Sequence, residues 1–245
     1  HIFGPSSLEA EDNILRLDRT LADLLAFVDE QVGLENTLII LSADHGGPDT
    51  PGYLNGLNIP AGYVDPDSWA RDAAIARIKK QFGIKGDLIA AYDHPYLYFS
   101  DEVRNDRRID QEALEAAVVE ELLKFDGVSL AVSSSALRQG KLPDTELYRP
   151  VINNFNAKRS GEVFVVFEPN WFINDMEGLT VASTHGSPWR YDTYVPIVFA
   201  GMGLKPRIVD RRVQTVDVAV TLSAFMGIKP PSGSAGVPLV EVLAE

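Results

Sequence analysis

The sequence predicts an α/β fold that carries a small inserted α+β subdomain, and three observations lead to this prediction. Residues 38–47 read LIILSADHGG, an apolar run that ends in an acid, an imidazole and two glycines. An apolar run of this length bounded by glycine is typical of a buried strand in an α/β sheet. Residues 10–32 before it carry apolar side chains at helical spacing. Residues 67–159 after it alternate between helical and strand patterns, which favours a separately packed α+β segment.

The first part of the chain is predicted to form one long helix and then the strand that ends at the acid and imidazole. Apolar residues recur at helical spacing from Ile14 to Val28, and Gly33 follows as the stop signal. The strand continues as far as Asp44. Residues 46–62 after it are rich in Gly and Pro, which is typical of loops around a site.

The rest of the chain predicts the insertion and then a return to the main sheet. In the insertion we expect helices over residues 68–82 and 110–125, strands over 88–92, 96–99 and 127–132, and a partly helical segment over 144–155. Strands at 162–169 and 195–201 and a helix at 216–226 are then expected to complete the main sheet. The predicted domains are an α/β core of residues 1–62 and 160–245 and an inserted subdomain of residues 63–159.

Composition limits the classes of function. The formal net charge of −13 argues against a nucleic-acid-binding surface or a polybasic membrane patch, because both need clustered Lys and Arg. It does not argue against a phosphate substrate, since a metal ion can dominate the local field. No apolar stretch reaches the roughly 18 residues that span a bilayer. The chain has no cysteine, which leaves His and carboxylates as the strong metal ligands.

Three of the four histidines lie beside turns from which a side chain can project into a cleft. Asp44 and His45 stand where the predicted strand ends, and an acid beside an imidazole suits zinc. An Asp that caps a turn beside a structural His explains the same pair about as well. His1 and His185 also lie next to Gly and Pro, whereas His94 lies among aromatic residues and is interpreted as structural.

Several motifs in a fixed order carry a resemblance to a known family. They are HIFGP at residues 1–5, SADHG at 42–46, NAKRSGEV at 156–163, THGS at 184–187, HGSPWRYDTYVPI at 185–197, TVDVA at 215–219 and GSAGVPL at 233–239. In this order they resemble the alkaline phosphatase superfamily. The similarity is greatest to bacterial alkaline phosphatases of the type I phosphodiesterase/nucleotide pyrophosphatase group, and it extends over essentially all 245 residues. The resemblance implies an alkaline phosphatase-like sheet sandwiched by helices, with the insertion as a cap over the metal cleft.

The resemblance also implies two Zn²⁺ ions and a Thr or Ser nucleophile that becomes phosphorylated. Asp44 and His45 correspond to ligands of the zinc that binds this nucleophile, and His185 corresponds to a ligand of the other zinc. His1 matches the imidazole of an Asp-x-x-x-His motif whose Asp would lie four residues earlier. The nucleophile and the residues that choose between monoesters and diesters lie in an N-terminal half that nothing here matches. We therefore expect the chain to be the C-terminal portion of an enzyme whose N-terminal half is its partner.

The hydroxyls that flank His185 receive a secondary interpretation. Thr184 and Ser187 could hydrogen-bond to metal ligands or substrate, although hydroxyls beside a turn more commonly cap the backbone. Asp192 and Asp217 are interpreted as helix or turn caps.

The resulting hypothesis is a zinc-dependent phosphoric ester hydrolase, in the first place a phosphomonoesterase, that acts on a small-molecule phosphate ester. A phosphodiesterase or nucleotide pyrophosphatase of the same superfamily is the first alternative. A sulfatase or a manganese-dependent phosphomutase matches the motifs less closely. A non-catalytic metal-binding fragment is the alternative from another class. By resemblance alone, a periplasmic or secreted location is expected.

Overall fold

The computed structural model describes residues 1–176 and 178–243. The α-helices are α1 (Leu8–Gln31), α2 (Pro51–Gly56), α3 (Ala73–Phe82), α4 (Asp101–Arg104), α5 (Gln111–Leu122), α6 (Ser134–Arg138), α7 (Tyr148–Asn154), α8 (Arg190–Thr193), α9 (Asp217–Phe225) and α10 (Val240–Leu243). The strands are β1 (Leu38–Ser42), β2 (Gly62–Val64), β3 (Ile89–Asp93), β4 (Tyr96–Phe99), β5 (Val128–Ser133), β6 (Val163–Phe167), β7 (Trp171–Ile173), β8 (Asp175–Met176), β9 (Leu179–Thr180) and β10 (Ile197–Gly201). Short 3-10 helices cover Leu34–Asn36 and Pro66–Arg71. Within the described residues, no helix is both long enough and apolar enough to cross a membrane.

The long helices begin and end at the capping residues that the sequence offers. Ser7 caps α1 through its hydroxyl, which accepts from Ala10 N at 3.1 Å. Gly33, at φ 86°, lies just after α1 and donates to the carbonyl of Asp29. Asp110 caps α5 by accepting from Ala113 N at 3.1 Å. The predicted bounds of these two helices are therefore confirmed to within a few residues.

The helix predicted over residues 68–82 is instead split in two. Asp72 is extended, with φ −69° and ψ 147°, and its carboxylate accepts from Ala74 N at 2.7 Å. This cap starts α3 at Ala73, and the residues before it form the 3-10 helix Pro66–Arg71. An aspartate that can satisfy the first free N–H groups of a helix favours a helix start over a continuous helix.

The chain divides into two compact units, of which one comprises residues 12–44 and 195–245. In this unit β1 pairs antiparallel with β10, so that Leu38 lies opposite Gly201. Gly201 is required there because a Cβ would lie 1.9 Å from the carbonyl oxygen of Thr37. The prediction that β1 is buried is wrong. Its last two residues are exposed, and Leu41 is 46% exposed to solvent. Within the described chain β1 has one neighbouring strand, so apolar composition alone does not bury it.

The other unit comprises residues 1–11 and 45–194 and contains a four-stranded antiparallel sheet in the order β3-β4-β6-β5. All five residues of β6 are buried. Val163, Val165 and Phe167 pack in one apolar cluster with residues of α3 and α5, whereas Phe164 and Val166 pack in a second cluster.

Strand β6 was expected in the main sheet with β1, and this is wrong. It pairs with β4 and β5, because it is apolar on both faces and each face has its own cluster to cover it. The division into units does not test the predicted domain boundaries at residues 62/63 and 159/160, which stay a prediction.

Glu115 on α5 is a buried acid in this unit, 2% exposed. Its carboxylate accepts from Ser135 N at 2.7 Å. Burial raises the pKa of Glu115 above its ordinary value of 4.5, and the nearby charge of Glu162 also raises it. The folded chain therefore holds a proton at this position more tightly than the unfolded chain does, so Glu115 favours the folded state most at low pH.

We expect Glu115→Gln to stabilise the protein relative to wild type at pH 7.5 and to lose this advantage below pH 4.5. The amide keeps an oxygen that accepts from Ser135 but carries no charge to desolvate. The measurement is the urea midpoint of both proteins at pH 4 and pH 7.5, with Glu120→Gln, an exposed position, as the control. An advantage of equal size at both pH values would contradict the assignment of a raised pKa to Glu115.

Candidate metal centre

Three of the four predicted metal ligands lie together in the unit that contains residues 45–194. The ring centroids of His45 and His185 are 3.4 Å apart, with the ring planes stacked at 17°. The ring of His1 lies 5.2 Å from that of His185. The structure thus brings together imidazoles from the first residue of the chain, from the loop after β1 and from the loop before α8.

Backbone carbonyls fix the tautomer of two of these rings. His1 donates from Nδ1 to Ser183 O at 2.9 Å, and His45 donates from Nδ1 to Gly46 O at 2.7 Å. A neutral imidazole that donates from Nδ1 carries its lone pair on Nε2. A hydrogen bond from the other ring nitrogen to a carbonyl is also how metal-binding histidines are commonly oriented. When neutral, both rings therefore carry on Nε2 the lone pair that could bind a metal ion.

A short extended segment after β9 holds the backbone around these rings. Ala182 N and Ser183 N both donate to His1 O, at 2.8 and 3.1 Å. The buried hydroxyl of Ser183 donates to Pro48 O at 2.6 Å. His185 lies two residues after Ser183. The same stretch of chain therefore binds the main chain of His1, binds the main chain three residues after His45, and leads into His185.

Asp44, the fourth predicted ligand, is an exposed residue that directly precedes His45. Across residues 1–176 and 178–243, no group of three or more His, Cys, Asp and Glu side chains has the geometry to hold a metal ion. The three imidazoles fit zinc in donor type. The described side chains do not by themselves assemble the four-ligand sphere that zinc prefers.

His94 binds the loop that carries His185. Its Nε2 donates to Gly186 O at 3.2 Å, and its Nδ1 accepts from Tyr92 Oη at 2.8 Å. Burial lowers the pKa of His94 below 6.5, so the ring is neutral near pH 7, as acceptance at Nδ1 requires. Its ring stacks on Phe167 at 5.7 Å, and its position among aromatic residues agrees with its interpretation as structural.

The turn of α8 contacts the loops of both His45 and His185. Gly46 N donates to Asp192 O at 2.8 Å. The carboxylate of Asp192 accepts from Ser187 N at 2.8 Å and from Ser187 Oγ at 2.6 Å. Sequence reasoning interpreted Asp192 as a turn cap and missed its link to Gly46, because a backbone bond between distant segments leaves no local pattern.

A cavity of about 190 Å³ lies behind the His185 loop. It is lined mainly by apolar side chains of β6 and β7 and by the loop itself, including Thr184 and Ser187. Within the described chain, Asp49 Oδ1 and Asp192 Oδ1 are buried without a hydrogen-bond partner. Of the two hydroxyls that flank His185, the one of Ser187 donates to Asp192, whereas Thr184 lines this cavity.

Comparison with known proteins assigns the chain to a family. The family model for type I phosphodiesterase / nucleotide pyrophosphatase matches residues 1–188. The chain belongs to this family. The segment of this chain that matches the family model contains His1, His45 and His185.

Individual relatives agree with this membership. The chain is 33% identical over 245 residues to the calcium-transporting ATPase of Myroides odoratus, covering 100% of this chain and 44% of that protein. It is 32% identical over 244 residues to the alkaline phosphatase PafA of Elizabethkingia meningoseptica, covering 99% of this chain and 43% of that protein. The crystal structure of wild type PafA matches with a TM-score of 0.85 over 99% of this chain and 45% of that one. The predicted alkaline phosphatase-like α/β fold is therefore confirmed. The chain spans less than half the length of the curated relatives it matches.

We expect Gly46→Ala to displace the loop that carries His45. A Cβ at residue 46 would lie 2.0 Å from the carbonyl oxygen of Tyr191, and because this is a backbone atom the loop itself must move. The cost is about 1–3 kcal/mol of stability, measured as a lower unfolding temperature. Gly47→Ala is the matched control, since a Cβ there meets no atom within 4 Å. Equal unfolding temperatures for the two variants would contradict the close approach.

Proposed function

We propose that this chain is part of a zinc-dependent phosphoric ester hydrolase that acts as a phosphomonoesterase. His1, Asp44, His45 and His185 are the proposed ligands to two Zn²⁺ ions. The nucleophile is a Thr or Ser that becomes phosphorylated, and it lies outside this chain, in the remaining half of the enzyme. The proposed location is periplasmic or secreted, because relatives of this kind are alkaline phosphatases.

The observation that carries the proposal is the convergence of three imidazoles from distant parts of the chain. Within the stacked pair, the ring of His45 donates from Nδ1 to a carbonyl, and so does the ring of His1 beside His185. A structural histidine normally uses both ring nitrogens for hydrogen bonds, as His94 does here. His1 and His45 share one arrangement, in which Nδ1 donates to a main-chain carbonyl, and this is how metal-binding histidines are commonly oriented.

The chemistry follows from what these residues can do. Zinc, when bound, would supply Lewis-acid stabilisation of the negative charge on a transferring phosphoryl group. His1 and His45 hold their Nε2 atoms in place through main-chain hydrogen bonds, so the ligand geometry is set before substrate arrives. Gly47 leaves open space beside the His45 loop, since a Cβ there would meet nothing within 4 Å, and a substrate can approach the backbone.

Replacement of His185 by alanine in the full-length enzyme tests the ligand assignment. We expect a loss of bound zinc and a fall in aryl phosphate hydrolysis of about 100-fold or more, because the ring neighbours each of the other two. Zinc per chain is measured by elemental mass spectrometry after dialysis, and turnover is measured on the same samples. Arg149→Ala, which removes an exposed ion pair with Asp144, is the control. Wild-type zinc content together with near-normal turnover in His185→Ala would contradict the assignment of His185 as a zinc ligand.

A phosphodiesterase is the second candidate, because the family model that matches residues 1–188 is named for phosphodiesterases and nucleotide pyrophosphatases. The two activities are separated by the turnover of an aryl phosphate and of a bis-aryl phosphate by the same full-length enzyme. We expect the monoester to have the higher kcat/KM, by about tenfold or more, since several of the relatives are alkaline phosphatases. A preference for the diester would replace the monoesterase proposal with the second candidate.

A further inference from the structure

We propose that Asp192 is a positioning residue that binds both histidine-bearing loops at once, its carboxylate holding Ser187 and its main-chain carbonyl holding Gly46. Through these contacts it sets the relative positions of His45 and His185. The inference rests on the proposed function in so far as the two rings are zinc ligands, and it assigns to Asp192 a role beyond that of a turn cap.

The carboxylate fixes the loop of His185. One oxygen, Oδ2, accepts from the backbone N–H of Ser187 at 2.8 Å and from its hydroxyl at 2.6 Å. The hydroxyl in turn accepts from Trp189 N at 3.3 Å. Hydrogen bonds to an ionised acceptor are stronger than neutral ones, and these lie two residues from His185. The loop between His185 and α8 is thereby closed on the side chain of Asp192.

The main chain of the same residue fixes the loop of His45. Gly46 N donates to Asp192 O at 2.8 Å, while Gly46 O accepts from Nδ1 of His45 at 2.7 Å. Gly46, which makes both bonds, has no side chain, and a Cβ there would lie 2.0 Å from Tyr191 O. The orientation of the His45 ring is therefore tied to α8 through one glycine.

The α8 turn is itself held by the four-stranded sheet and the loop that follows it. The indole of Trp189 donates from Nε1 to Phe167 O, at the end of β6, at 2.9 Å. Asn170 N donates to the phenol oxygen of Tyr191 at 3.0 Å. A positioning residue is effective only when it stands on a rigid element, and Asp192 stands on one that is bound on both sides.

The burial of the Asp192 carboxylate carries a desolvation cost. The residue is 5% exposed, and its second oxygen, Oδ1, has no hydrogen-bond partner within the described chain. Buried carboxylate oxygens are normally satisfied, so an unpartnered one needs an explanation. The other oxygen, Oδ2, takes two hydrogen bonds from Ser187, so the contacts of this buried carboxylate are concentrated on the Ser187 turn.

The test uses the full-length enzyme with Asp192→Ala, Asp192→Asn and Ser187→Ala. The matched control is Asp217→Asn, because the carboxylate of Asp217 is also buried, at 8% exposure, and also accepts two hydrogen bonds, here from Gln214 N and Val237 N, but belongs to the other unit. The first readout is the rate of zinc loss to a chromophoric chelator well below the unfolding temperature. The second is amide hydrogen exchange of residues 45–47 and 185–187 in zinc-free protein.

We expect Asp192→Ala to release zinc about 10- to 100-fold faster than wild type and to exchange faster in both segments. Asp192→Asn, which keeps one acceptor oxygen, and Ser187→Ala, which keeps the backbone donor, should lie in between. They also carry the test if Asp192→Ala does not fold. Asp217→Asn should lower the unfolding temperature without changing either readout.

Three results would each count against one of the two proposals. Zinc release and exchange in the Asp192 variants that match those of Asp217→Asn would overturn the positioning role. If wild type binds no zinc, the proposed function fails, and hydrogen exchange alone then decides whether Asp192 holds the two loops. Because Asp192→Ala keeps the main-chain carbonyl that accepts from Gly46, residues 45–47 report on the position of the α8 turn. Faster exchange confined to the His185 loop would therefore overturn the claim that the carboxylate sets the position of both loops.

Discussion

The close approach of Gly46 to the α8 turn is the constraint on which the arrangement of the histidines depends. The main chain of residue 46 reaches Asp192 O at 2.8 Å, and no side chain larger than hydrogen fits between this loop and Tyr191 O. The ring of His45 then stacks on that of His185 at 3.4 Å. The position of the His45 ring is thus tied to main-chain contacts, since Gly46 both accepts from its Nδ1 and donates to Asp192 O.

The region is supported by β6, a fully buried strand. Every residue of β6 is buried, and its two faces pack in separate apolar clusters. Full burial of each large apolar side chain contributes about 1.5–3 kcal/mol, so the strand resists displacement. Its last carbonyl, at Phe167, receives the indole of Trp189, and the ring of Phe167 stacks on His94. The loop before α8 is therefore held by the interior of the protein rather than by its surface.

Elements whose limits are set locally were predictable from the sequence, and contacts between distant segments were not. The end of α1 at Gly33 and the start of α5 at Asp110 follow from caps that lie within a few residues of the helix. The sheet membership of β6 and the exposure of Leu41 depend on which strands lie alongside, which composition does not encode. The grouping of the histidines was expected from family resemblance, since no spacing rule relates residues 45 and 185. Asp192 looked like an ordinary cap, because its second contact is made by a backbone atom.

The contacts that assemble the histidine cluster span very long stretches of chain. His1 and Ser183 are 182 residues apart, Pro48 and Ser183 are 135 apart, and His94 and Gly186 are 92 apart. Contacts of such separation form only after the chain between them has been ordered, and they slow folding accordingly. During synthesis on the ribosome, the cluster cannot exist until residue 185 has emerged. The cluster is therefore completed only after β6, the strand that supports the loop before α8, has been synthesised.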